Sequence, residues 1–293
     1  MNQTQQLAYL LQSETPLLIP GVYDGITAQL VRKAGFPAAY VTGAGLSLSI
    51  LGQPDINTVS YGELLARVWQ ISSVFQGPLL VDIDTGFGGS LNIARVIQDF
   101  TRLNVAAVQI EDQLSPKRCG HLEGKKVVPL SEMRSRIAAV LNSRIDGSPL
   151  LIARTDARGP EGLEEALRRA ECFAEWGANL IFVEGLRSLA EIEALCARIH
   201  GPLLYNNAEG GASPYLSRKE LREYGFAAAI YPNSLARAMS FAGMDLLRHL
   251  KEEGSTLALL DRLYTHRELF ALFDQDGWLD LADALTADHF SAK

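Results

Sequence analysis

Eight short apolar runs, helix-patterned segments between them, and a polar residue closing nearly every run together predict a (β/α)8 barrel for this chain of 293 residues. Each run is near-continuously apolar rather than alternating, which is the pattern of parallel strands buried on both faces. A doubly wound sheet would show about five or six strands and a full glycine fingerprint after the first. Here "GAGLS" at 43–47 follows the second run and lacks that spacing.

Taken in order, the predicted strands are "PLLIPGVY" (16–23), "AAYVTG" (38–43), "PLLVDID" (78–84) and "AAVQIED" (106–112). They continue with "PLLIARTD" (149–156), "NLIFVEG" (179–185), "PLLYNNAEG" (202–210) and "AAAIYP" (227–232). After the third, Ile93, Val96, Ile97 and Phe100 fall on one helical face; after the fifth, Leu163, Ala166, Leu167 and Ala170 repeat the spacing. Gly35 and Gly177 suit helix C-caps. The barrel is expected over 1–253. Residues 254–293 read as two or three amphipathic helices beyond what a barrel needs, suited to packing on the barrel or on a partner subunit.

Composition sets outer limits. Apolar residues make up 47% and charged residues 21%, ordinary for a globular protein with a full core. A net charge of −7 disfavours nucleic acid as a partner, because phosphate binding needs a basic face. A small anion is still compatible, since local Lys and Arg dominate one cleft. Three irregularly spaced cysteines make no disulfide framework. No signal peptide and no membrane-length apolar run is read, so a reducing cytoplasm is the expectation.

Active sites of such barrels lie at the C-terminal ends of the strands. There this chain places Asp24, Thr42, Asp82, Asp84, Glu111, Asp112, Arg154, Asp156, Glu184, Asn206 and Asn207. Buried carboxylates need a cation or a partner. Asp82 and Asp84, two residues apart on one strand, share a side, and with Glu111 they make an all-oxygen set that fits Mg²⁺ or Mn²⁺ better than zinc. The competing reading pairs these acids with Lys or Arg, or uses them as helix caps. The loop "PKRCGH" sets Cys119 among Lys117, Arg118 and His121, where neighbouring positive charge favours thiolate. Cys119 then serves as general acid or base, and His121 as a loop hydrogen-bonding residue or a second proton carrier; a solvated loop with an incidental cysteine is the alternative. Arg154 at the end of a buried strand needs an anion, either a substrate carboxylate or a salt bridge to Glu184 or Asp156.

These segments, "VTGAG", "LGQPD", "VDIDTGFGG", "IEDQ", "PKRCGH", "ARTDA", "NNAEGGASP" and "YPNSLARAM", resemble the isocitrate lyase and phosphoenolpyruvate mutase superfamily in the same order. The cysteine loop resembles its lyase branch (methylisocitrate, 2,3-dimethylmalate and petal-death-type lyases). The resemblance implies a barrel whose last helix is often exchanged between subunits of a homotetramer. It implies Mg²⁺ on Asp82 and Asp84, with Asp55 and Glu111 reaching the ion through water. It further implies that Thr42, Gly43 and Ala44 hold an α-keto acid, Arg154 its carboxylate, and Cys119, beside Gly120, protonates the departing fragment. Glu184, Asn206, Arg237 and Arg267 match other substrate-contacting positions. The implied activity is Mg²⁺-dependent cleavage of a 2-hydroxy di- or tricarboxylate to pyruvate or glyoxylate plus a carboxylate. Hydrolysis of oxaloacetate to oxalate and acetate is the alternative, followed by phosphonomutase or decarboxylase chemistry.

Overall fold

The structure is a computed structural model that describes residues 1–118, 120 and 124–286. Its strands are β1 (Leu17–Val22), β2 (Ala39–Val41), β3 (Leu79–Asp82), β4 (Ala107–Glu111), β5 (Leu150–Thr155), β6 (Leu180–Val183), β7 (Leu204–Asn206) and β8 (Ala228–Tyr231). Each lies inside one of the eight expected runs. They form one parallel sheet in the order β6-β5-β4-β3-β2-β1-β8-β7. A parallel bridge between Ile181 and Leu203, with Ile181 N–H donating to Pro202 O at 3.0 Å, joins β6 to β7 and closes the ring. Closure removes every sheet edge.

The helices are α1 (Gln3–Leu10), α2 (Gly25–Lys33), α3 (Gly43–Leu46), α4 (Tyr61–Val74), α5 (Ser90–Arg102) and α6 (Leu130–Asn142). They continue with α7 (Leu163–Glu175), α8 (Leu189–Arg198), α9 (Arg218–Glu223), α10 (Ser234–Glu253), α11 (His266–Leu272) and α12 (Gln275–Thr286). Ile93, Val96, Ile97 and Phe100 are the buried face of α5, as their spacing predicts. Gly35 and Gly177 follow α2 and α7 with φ of 78° and 96°, the left-handed cap that glycine allows.

Two apolar layers result. One lies between the strands and the helices; the other fills the barrel with Ile19, Tyr40, Leu80, Ile152, Phe182, Leu204 and Ile230. The sequence reading missed α1. Asn2 and Gln5 form a reciprocal capping box at its start, and Leu7, fully buried, joins the interior layer.

The chain divides into two compact units, residues 1–236 and a second beginning at Arg237, within α10. The second unit carries α11 and α12, and no residue of either helix is buried. No helix among the described residues is long and apolar enough to cross a membrane.

Candidate active site

Interior positions of the strands alternate, so the residues two steps beyond the apolar plug face the mouth. Tyr40 leads to Thr42, Leu80 to Asp82, Ile152 to Arg154, Phe182 to Glu184 and Leu204 to Asn206. They gather at one end around a cleft lined by Thr42, Ala44, Asp82, Arg154, Asn206 and loop residues.

One wall is acidic. Asp84 N–H donates to Asp82 Oδ1 at 3.0 Å in a tight turn where Asp84 takes φ of 49°. The turn, rather than a continuing strand, brings the two carboxylates to one side. Gln109, in register with Asp82, donates Nε2 to the same oxygen at 3.1 Å and accepts the Tyr40 hydroxyl at 2.9 Å. Gly43 faces both acids: a Cβ there would lie 3.3 Å from Asp84 Oδ1 and 3.4 Å from Asp82 Oδ2. Thr42 Oγ1 accepts Gly45 N–H at 3.5 Å and keeps its own proton to donate.

Lys117 answers that wall. Its Nζ lies 2.7 Å from Asp55 Oδ1 and 2.8 Å from Asp84 Oδ1, with all three side chains largely withdrawn from water. Burial pushes the Asp84 carboxyl up to about 6 even with Lys117 opposing. For Lys117 burial disfavours charge, yet Asp84 and Asp55 hold its pKa well above the ordinary lysine value. Among the described residues no group of three Asp, Glu, His or Cys side chains is disposed to hold a metal ion. Asp82 and Asp84 nevertheless fit a hard divalent ion whose remaining ligands are water. Their oxygens converge at the Gly43 backbone, and Glu111 Oε1 is buried with no hydrogen-bond partner.

Two strands on, the wall is built on an arginine. Arg154 donates Nε and Nη2 to Asp156 at 2.8 and 3.0 Å, a bidentate fork, and its guanidinium lies 5.2 Å over the Phe182 ring. Nη1 stands 3.4 Å from Glu111 Oε2 and Nη2 3.6 Å from Glu184 Oε2. The salt bridge to Asp156 is therefore present, and Nη1 is the guanidinium nitrogen that takes no part in it. Burial raises Glu111 well above the usual carboxylate range against the pull of Arg154. Glu184 accepts Asn206 Nδ2 at 2.9 Å on one oxygen, and its other oxygen is buried without a partner.

The loop after β4 is tied across this wall. A Cβ on Gly120 would overlap Arg154 Nη2 and approach Glu184 to 2.9 Å, so only glycine lies this flat on the pair. Lys125 Nζ donates to Gly120 O at 2.6 Å and to Asp156 Oδ1 at 2.8 Å. Cys119 and His121 lie outside the described residues; their neighbours Arg118 and Gly120 line the cleft. Arg237 and Arg267 belong to the second unit, and both are exposed.

Three strand-end residues serve architecture. Asp24 caps α2 through Thr27 N–H at 2.8 Å. Asp112 turns outward to Arg169, at 3.1 Å, and to Thr155, at 2.7 Å. Asn207 exchanges two hydrogen bonds with the Leu216 backbone. Sequence reasoning missed Gln109, Tyr40 and the ion pairs of Lys117 and Lys125. Interior alternation pointed to the first two; the lysine contacts depend on how the loop folds.

The phosphoenolpyruvate phosphomutase family model matches residues 7–251. A 2,3-dimethylmalate lyase described as a member of the PEP mutase/isocitrate lyase superfamily superposes with a TM-score of 0.90 at 34% identity, over 99% of this chain and 97% of that one.

The chain belongs to the PEP mutase/isocitrate lyase superfamily.

Within that superfamily it is similar to the 2-methylisocitrate lyase of Aeropyrum pernix, with 40% identity over 91% of this chain and 85% of the relative. Similarity to the 2,3-dimethylmalate lyase of Eubacterium barkeri is 36% over 92% and 93% of the two chains. An oxaloacetate acetylhydrolase bound to 3,3-difluorooxalacetate superposes at a TM-score of 0.91 and 33% identity, covering 99% of each chain. A phosphonopyruvate hydrolase bound to oxalate and Mg²⁺ superposes at 0.87 and 26% identity, over 98% of this chain and all of that one. This superfamily member is a carbon–carbon lyase.

Proposed function

We propose that the enzyme is a Mg²⁺-dependent lyase of a 2-hydroxy acid bearing a second carboxylate. The substrate is 2-methylisocitrate-like or a substituted malate, and the products are pyruvate or glyoxylate plus a carboxylate. The observation that carries this reading is a hard-oxygen face with an arginine close beside it. Asp82 and Asp84 form that face at the end of β3, and Arg154 stands two strands on, at the end of β5, with Gly120 laid on its guanidinium.

Held by Asp82 and Asp84, with Asp55 and Glu111 reaching it through water, Mg²⁺ (or Mn²⁺) would supply positive charge to the oxygen that becomes the keto group. Thr42 and the backbone at Gly43 and Ala44 orient the keto-acid end. Arg154 Nη1 takes its carboxylate, because the other guanidinium donors are committed to Asp156. Glu111, buried and inclined to hold a proton, serves proton transfer near the cleaving bond. Cys119 delivers a proton to the departing fragment, His121 assists, and Gly120 lets the loop close against water. Glu184 and Asn206 complete the substrate contacts. Oligomerisation as a homotetramer and a cytoplasmic setting belong to the same proposal. The exposed apolar residues of the second unit support the first, and free thiols at Cys172 and Cys196 support the second.

Product analysis with Mg²⁺ and a panel of acids (2-methylisocitrate, 2,3-dimethylmalate, 2-ethyl-3-methylmalate, citramalate, oxaloacetate) tests the reading. Pyruvate or glyoxylate should form with a carboxylate partner, and Cys119→Ser should lower turnover by at least ~100-fold. Likeness to the oxaloacetate acetylhydrolase supports a second reading, water attack on a polarised ketone. Oxalate and acetate from oxaloacetate alone would establish that reading and reject the first.

A further inference from the structure

Two buried side chains that the chemistry above does not use hold the chain on either side of Cys119. Gln113, just after β4, is 1% exposed. Its amide exchanges two hydrogen bonds with the Arg118 backbone: Arg118 N–H donates to Oε1 at 3.0 Å, and Nε2 donates to Arg118 O at 2.9 Å. Lys125 holds the other flank. Its Nζ donates to Gly120 O at 2.6 Å and to Asp156 Oδ1 at 2.8 Å from a side chain only 6% exposed. The residue before the cysteine and the residue after it are thus each bound, through their backbone, by a buried polar group.

Closing the loop does not by itself call for these contacts. Its base is already zipped: Leu114 N–H donates to Lys126 O and Val128 N–H to Asp112 O, both at 2.8 Å, beside a bridge between Gln113 and Val127. Burying an ammonium is costly, and an apolar side chain of the same length would fill the space without that cost. What the ammonium adds is a directed grip on one carbonyl. Asp156 Oδ1, its second partner, also accepts Arg154 Nη2 at 3.0 Å. One carboxylate therefore sets both the arginine that takes the keto-acid carboxylate and the loop residue next to the cysteine. Such a setting matters for rate, since a misplacement of about 1 Å costs on the order of 100-fold.

We propose that Gln113 and Lys125 are positioning residues for Cys119, fixing the chain on both sides of it so that its thiol meets the departing fragment. The assignment rests on the lyase reading, which gives Cys119 the proton transfer, and adds the residues that aim it. Neither Gln113 nor Lys125 touches substrate.

Gln113→Met and Lys125→Met keep the length of each side chain and remove its amide or ammonium. With the best acid of the panel, each should lower kcat by about 10–100-fold. Affinity for oxalate with Mg²⁺, read by calorimetry, should stay at the wild-type value, because Arg154 keeps both of its bonds to Asp156. Amide hydrogen exchange without ligand should become about tenfold faster in peptides spanning 113–127 and stay unchanged in β5, the mark of a locally released loop. A merely structural role would instead speed exchange across the barrel and leave kcat of the folded protein at the wild-type value. Wild-type kcat in a variant would strike that residue from the assignment. Loss of oxalate affinity in step with kcat would overturn it too, since Arg154 would then be what moved. If the wild-type enzyme cleaves no acid, the lyase reading fails, and hydrogen exchange still decides the anchors: faster exchange confined to the loop supports them, and unchanged exchange rejects them. Should either variant fold poorly, Gln113→Glu and Lys125→Gln carry the same comparison.

Discussion

Asp156 is the carboxylate to which both Arg154 and Lys125 turn, and its side chain is fully buried. Burial alone would raise its pKa, but Arg154 and Lys125 outweigh burial and hold it at about 2. Replacing it by asparagine leaves two buried cations short of an anion, so Asp156→Asn should destabilise the fold by about 3–5 kcal/mol at pH 7. Because the folded pKa lies below the ordinary aspartate value, the stabilisation is present above pH ~4 and lost as pH falls toward 2. Urea unfolding at pH 7 and pH 3 checks this, and the gap between wild type and variant should narrow in acid. A gap that widened in acid would mean that another group carries the effect. The interior placement of Asp156 was legible, since it stands two residues after Arg154 on an apolar run. Its partner Lys125 was not: the lysine lies in a separate loop, and only the closed barrel brings the two together.

At the level of elements, parallel strands announce themselves because both faces are buried, which makes each run apolar throughout. The eight runs therefore located all eight strands. The strands proved shorter than the runs, with β2 and β7 reduced to three residues each. Chain that looked like strand had become the turns carrying Asp84 and Asn207. α1 went unread because its helical face is weak and its signal is the capping pair Asn2 and Gln5. The seam between β1 and β8 depends on a residue that composition does not flag. A Cβ on Gly21 would overlap the Pro232 carbonyl, and backbone has little room to give. Gly21→Ala should therefore lower the thermal midpoint by about 2–5 °C, in line with an overpacking penalty of about 1–3 kcal/mol. A midpoint within a degree of wild type in a calorimetric scan would show that the seam can widen.

At the scale of the whole molecule, the second unit presents apolar surface that a lone chain leaves in water. Along α10, Phe241 is 76% exposed, Met244 61% and Leu247 56%. Trp278 and Leu285 of α12 are 68% and 75% exposed. Isolated exposed apolar residues are ordinary, but a run at helical spacing marks a surface that another protein covers. Coverage by further copies of the chain is what the proposed homotetramer requires, and closed assemblies of identical chains are the usual way such surfaces are satisfied. Light scattering should then give a mass about four times the 32.0 kDa of one chain. Phe241→Asp combined with Met244→Asp should shift the protein to smaller species, because charge at the centre of an apolar interface is costly to bury. Circular dichroism should show the barrel intact in those species, since neither side chain belongs to its apolar layers. A wild-type mass of one chain would sink the tetramer. An unchanged mass in the double variant would move the interface off α10 and onto α12, where Trp278→Asp is the corresponding substitution.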